Sequence, residues 1–90
     1  MDPQIGKPVS LLRAILGGGS ISHEELQHAT WLAEGSLDRL IADAWLEMQQ
    51  WVADADIRSQ DAEYASMRLE RLRWFLREIE REAVIIGLKI

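Results

Sequence analysis

In the last third of the chain, Ala65, Leu69, Leu72, Leu76, Ile79, Ala83 and Ile86 succeed one another at alternating spacings of four and three. That period lays one apolar stripe along a helix and asks for a partner helix. It predicts a long helix over 61–86. A matching stripe comes before it: Leu37, Ile41, Ala44, Met48, Trp51 and Ala55, widened by Leu40, Trp45 and Val52. This predicts a second long helix over 36–57. Asp54–Gln60 is polar enough to break the pattern, and Asp61 or Ser59 is placed to cap the final helix. Two long helices with matching stripes and a short connection make an antiparallel αα-hairpin.

The front of the chain reads as shorter pieces. Met1–Lys7, with Pro3 and Gly6, is expected to be a loose arm. Pro8 suits the first turn of a helix, and Val9, Leu11, Leu12, Ile15 and Leu16 give that helix one apolar face. Gly17, Gly18 and Gly19 end it, because three glycines carry too much backbone entropy to stay helical. Ser22-His23-Glu24-Glu25 spells a capping box: the Ser22 hydroxyl accepts from the Glu25 amide and the Glu25 carboxylate accepts from the Ser22 amide. A short helix over 23–30 is expected, with Leu26 and Ala29 inward, then a turn through Ala33–Gly35 with Ser36 as N-cap. The one strand candidate, Ser20–Ser22, is too short to hold alone. The expectation is one all-α domain over 1–90, in which two short N-terminal helices within 8–35, trihelical and helix-turn-helix-like, pack on the hairpin formed by 36–57 and 61–86. The expected core is Leu12, Ile15, Leu26, Leu32, Leu37, Leu40, Ile41, Trp51, Leu69, Leu72, Leu76 and Ile79.

Ninety residues bury only about 60% of the unfolded surface, so a partner adds materially to stability. There is no cysteine, which excludes disulfides and thiolate metal sites. No basic-then-apolar leader pattern opens the chain, and no apolar run approaches the ~20 residues of a membrane span. A cytoplasmic protein without membrane contact is expected. The net charge of −5 divides unevenly: Met1–Ile57 carries three basic and nine acidic residues, Arg58–Ile90 seven basic and six acidic. An acidic front repels phosphate backbones and suits a basic protein surface.

Ile21–Ala44 resembles the helix-turn-helix core of winged-helix regulators of the MarR type. Leu26, Ala29, Leu32, Leu37, Leu40 and Ile41 stand where such a motif is apolar. The resemblance covers under a third of the chain. It implies a trihelical unit, with Leu11–Leu16 as the preceding helix, Ile21 opening a small strand, a second helix whose Ser36 and Arg39 would meet nucleic acid, and a C-terminal dimerisation helix. The chain departs from the pattern in three places. Trp31 replaces a turn glycine, so the turn is altered or the second helix runs on. The would-be recognition helix offers Glu34, Asp38 and Asp43 with Arg39 as its one cation, where groove reading calls for Arg, Lys, Asn or Gln. No hairpin wing follows. Nucleic acid is therefore not the expected partner.

Candidate chemistry is thin. His23 and His28 are five residues apart, whereas the zinc-protease pattern needs four so that both rings face one metal. Glu24 and His28 can form a surface pair. Gly17–Ser20 lacks the lysine and the preceding strand of a phosphate loop. Asp54, Asp56 and Asp61 lack the glycine and terminal glutamate of a calcium loop. No catalytic residue, metal site or cofactor is assigned, and no enzyme is expected.

The tryptophans say more. Trp51 lies on its seam and reads as core; Trp31 and Trp45 read as boundary residues. Trp74 lies on the side of the last helix away from the seam. Met67 and Leu88 share that outer line with Arg81, and Phe75 lies beside it. The stems of Arg71, Arg77 and Arg81 can cover an exposed Trp74 or stack on it. Trp and Arg together are the residue types most enriched at interface hot spots. The expected contact surface is Met67, Arg71, Trp74, Phe75, Arg77, Arg81 and Leu88, in a homodimer or against a protein partner. The expected function is a non-enzymatic interaction or regulatory module; a helix-turn-helix regulator is the alternative, and an escort that offers its hairpin groove to an apolar helix comes third.

Overall fold

The computed structural model describes residues 3–88, and Met1 and Asp2 of the expected arm lie outside them. Five helices follow in order: α1 (Gly6–Leu16), α2 (His23–Gln27), α3 (Gly35–Ala53), α4 (Ala55–Gln60) and α5 (Ala62–Ile85). The protein is all-α, and among the described residues the one β contact is an isolated bridge between Gln4 and Leu32. α3 and α5 form the hairpin. Ser36 at the start of α3 meets Glu82 near the end of α5, and Glu47 and Asp54 meet Arg68, so the two run antiparallel. α1 packs on α5 and more lightly on α3, and α2 packs on α3.

The seam is the core. Leu37, Ile41, Ala44 and Met48 of α3 interlock with Leu72, Ile79 and Ala83 of α5, and α1 adds Val9, Leu11, Leu12 and Ile15. Among the expected core residues, Leu40, Trp51, Leu69 and Leu76 are half-buried against it. Three positions depart: Leu32 of the expected core, and Ile86 and Ala55 of the two stripes, Ala55 lying exposed at the start of α4 beyond the end of α3. Leu32 is exposed, because its backbone is drawn out to exchange two hydrogen bonds with Gln4 (2.7 and 2.8 Å). Ile86 is exposed too, as the C-cap of α5 beyond the end of α3's cover.

The local signals act as the chemistry dictates. Both capping-box bonds form at Ser22 and Glu25, and Asp61 caps α5 by accepting from the Tyr64 amide. α1 ends in a Schellman turn, with Gly19 N–H on Ala14 O, Gly18 N–H on Ile15 O and Gly18 at φ 87°.

Four expectations are corrected. The arm is not loose from Gln4 on: it pairs with Leu32, buries Ile5, and starts α1 at Gly6. α2 stops at Gln27, not Thr30: the Ala29 amide closes on Leu26 O, three residues back instead of four, and Leu32 then pairs with Gln4. Ser36 is not the N-cap of α3; Glu34 precedes the helix, Gly35 takes φ 63°, and the Ser36 hydroxyl donates to Glu82. The segment after Asp54 is no open connection: α3 ends at Ala53, and Ala55–Gln60 forms the separate short helix α4. Arg58 of α4 reaches back to Trp51 O through two hydrogen bonds (2.6 and 3.1 Å) and stacks on the Trp51 ring at 3.6 Å, satisfying a carbonyl that the end of α3 leaves free.

Candidate functional site

α5 has 24 residues, roughly 36 Å at 1.5 Å per residue. Its inner side is spent on the core. Its outer side is wet: Met67 is 45% exposed, Trp74 47% and Val84 72%, and Arg77 and Arg81 point outward with them. Exposed apolar residues scattered singly are ordinary; these three share one side of one helix, with Glu70, Arg77 and Arg81 between them.

The surface extends sideways onto α3. Arg71, Trp74 and Phe75 line a depression of about 260 Å³. Arg71 and Phe75 also line an adjoining one of about 430 Å³, whose other wall is Asp43, Leu46, Glu47, Gln49 and Gln50. Leu46 is 53% exposed there, and its single spacing off the α3 stripe gave no sign of that role. Trp74 meets Phe75 edge-on, with ring centroids 5.0 Å apart at 80°. This is a favoured aromatic geometry and packs one side of the indole against the Phe75 ring.

A polar network fixes the platform. Glu47 accepts from Arg71 at 2.8 and 2.6 Å and from Arg68 at 3.1 Å. Arg68 also lies 3.4 Å from Asp54 and donates to the Tyr64 hydroxyl at 3.0 Å, and that hydroxyl donates to Asp54. The Arg68, Glu47 and Asp54 side chains are largely shielded from solvent. The Arg68 guanidinium is held above its ordinary range, chiefly by the Tyr64 hydrogen bond and then by the charges around it. Arg71 is thus anchored beside Trp74 and its rotamer is already chosen. No single-residue signal announces this network; it follows from the hairpin register, which sets Glu47 against Arg68 and Arg71.

The expected contact residues divide. Met67, Trp74, Arg77 and Arg81 stand exposed on the outer side, and Arg71 at its margin. Phe75 is corrected to a core residue: it is buried between the seam and the platform and offers only an edge. Leu88 is corrected as well. Gly87 at φ 81° turns the chain in a second Schellman motif, with Leu88 N–H on Ala83 O, so Leu88 leaves the helical line and folds against the core beside Ile5 and Val9. Among the described residues the stacked cations are Arg58 on Trp51 and Arg68 over Tyr64, and not the arginines around Trp74. Trp51 is half-buried beneath Arg58. Trp31 and Trp45 are boundary residues, 6.4 Å apart, donating to Asp38 (2.9 Å) and to Leu26 O (2.8 Å).

Elsewhere the chemistry is sparse. His23 and His28 are both exposed on or beside α2. Among the described residues, no group of three His, Asp or Glu is placed to hold a metal ion, and no helix is long and apolar enough to cross a membrane. Of the nucleic-acid candidates, Arg39 is exposed and Ser36 is engaged with Glu82. A scan against protein-family models and searches of curated proteins and of solved structures find no match to this chain.

Proposed function

We infer that this protein is a non-enzymatic interaction module whose contact surface is the outer side of α5. The observation that carries this reading is the exposed line of Met67, Trp74 and Val84 on the helix whose other side is the core. Trp74 is held by Phe75, and its neighbour Arg71 is fixed by Glu47. A rigid aromatic beside an ordered arginine is the composition of a hot spot, with little side-chain entropy left to lose on binding. The electrostatics of the front half favour protein over nucleic acid. α3 opens with Glu34 and Asp38, Asp38 is held by Trp31, and the Ser36 hydroxyl is occupied by a carboxylate. The connection from α2 to α3 runs from His28 to Glu34, about twice the three or four residues that join the helices of a helix-turn-helix.

The test is a photo-cross-linking amino acid placed at Trp74 in cells that produce the protein. A discrete adduct at position 74, absent when the same group replaces exposed Gln27 on α2, is expected. No adduct at 74, or equal adducts at both positions, overturns the reading.

A further inference from the structure

The outer side of α5 carries a second heptad line that differs from the buried one. Met67, Glu70, Trp74, Arg77, Arg81 and Val84 follow at spacings of three and four, all of them exposed. We propose that the occupant of this line is α5 of a second copy, packed antiparallel about a two-fold axis between Trp74 and Arg77. The inference rests on the interaction-module reading and names its partner.

The charge pattern selects both orientation and register. In an antiparallel pair the first and fourth heptad positions of one helix face the fourth and first of the other. Centring the axis between Trp74 and Arg77 sets Met67 against Val84 of the second copy, Glu70 against Arg81 and Trp74 against Arg77. These are an apolar contact, an ion pair and a cation–π contact. The flanking positions agree in sign: Arg73 meets Glu80, whose contact with Arg13 is long and exposed at 3.9 Å, and Glu78 faces the margin where Arg71, still held by Glu47, adds positive charge. Symmetry makes each contact twice, and every charged pair is of opposite sign.

The alternatives fail on the same residues. Sliding by one heptad in one direction brings Arg71 onto Arg71 and Arg73 onto Arg73. Sliding the other way brings Glu78 onto Glu78 and Glu80 onto Glu80, with Arg77 against Arg81. A parallel pair sets Glu70, Arg77 and Arg81 each against itself. Like charges facing one another are penalised, so they specify against these arrangements. Within the chain, Glu70 pairs with Arg73, and Glu78 with Arg81, at exposed i,i+3 spacing. Such pairs contribute little and cost little to exchange. The line from Met67 to Val84 spans roughly 26 Å at 1.5 Å per residue. That is a small interface, in the class of reversible association, so the dimer belongs to tens of micromolar rather than nanomolar.

The experiment is sedimentation equilibrium of the full chain and of two single charge reversals, Glu70→Arg and Arg81→Glu, alone and mixed one to one. The parent is expected to dimerise. Each variant alone sets two like charges across the axis and is expected to associate about ten-fold or more weakly. The equimolar mixture makes a heterodimer in which both pairs are again opposite, and its affinity is expected within about three-fold of the parent. Circular dichroism of each variant confirms that folding is unchanged. A dimer not rescued by mixing overturns the register. A parent that stays monomeric at hundreds of micromolar overturns the second copy as occupant; if position 74 still gives a discrete heavier adduct, the interaction-module reading stands without it. A dimer that Trp74→Ala leaves untouched overturns the outer line of α5 as the surface between copies.

Discussion

Along one side of α5, Leu72, Ile79 and Ala83 are closed off from water by α3 and α1; along the other, Met67, Trp74 and Val84 keep about half or more of their surface in it. Both lines follow heptad spacing on the same helix. What separates them is their content. The inner line is apolar at every step, and the outer alternates apolar residues with Glu70, Arg77 and Arg81. An unbroken apolar line makes burial within the chain worthwhile and leaves few choices of partner. A line broken by charges cannot be a core, since each charge would lose its water, yet its signs can choose a partner and a register.

The largest effect should come from the inner line. Leu72→Ala and Ile79→Ala should each cost ~2–5 kcal/mol, the range for buried aliphatic truncation. In a domain of this size that lowers the melting temperature by roughly 10 °C or more. Variants that melt within a degree or two of the parent would show that the seam is not the core. Next comes the platform. Arg68→Met leaves the shielded Glu47 and Asp54 without their shared cation and should cost ~1–3 kcal/mol in urea titrations. Arg68 itself makes no pH step in the ordinary range. Its folded pKa is raised, so its contribution is complete below the unfolded value and is lost only as pH climbs through the folded one, beyond the stable range of most proteins. Asp61→Ala should cost ~1 kcal/mol through loss of the α5 cap. Smallest of all is the response to nucleic acid. An anisotropy titration with mixed duplex at ~100 mM salt should show nothing tighter than ~10⁻⁴ M. Micromolar binding that falls steeply with salt would promote the regulator reading, with Arg39 the first residue to change.

Legibility from sequence tracked how local the cause was. The capping box, the α5 cap and the glycine stop of α1 are decided within a few residues; the first and last stand as read, and of the two residues offered for the cap, Asp61 and Ser59, the structure uses Asp61. The inner seam is legible because its period persists through six turns. What escaped depends on contacts distant in sequence. Gln4 finds Leu32 across α1 and α2, so an arm that reads as loose is pinned, and a leucine that reads as core is exposed. Asp54 reads as a break, and it is one; what sequence could not show is that Tyr64 and Arg68 would hold it while Arg58 continued the chain as α4. Periodicity placed Trp74 outside and left Phe75, one residue on, beside it. Phe75 lies close enough to the seam for α3 to cover it, and only the packed hairpin decides that. Leu88 carried its own signal, the glycine before it, which ends the helical line by the same rule that Gly18 obeys.

The outer side of α5 is proposed to serve contact and not folding. Trp74→Ala tests it most directly when thermal melting in dilute solution and sedimentation at tens of micromolar are measured on the same preparation. The expected result is a folding change within about 0.5 kcal/mol, as for exposed positions, together with loss of self-association by ~2 kcal/mol or more, as for a hot spot. A variant that loses several degrees of melting temperature while associating as the parent does would contradict it.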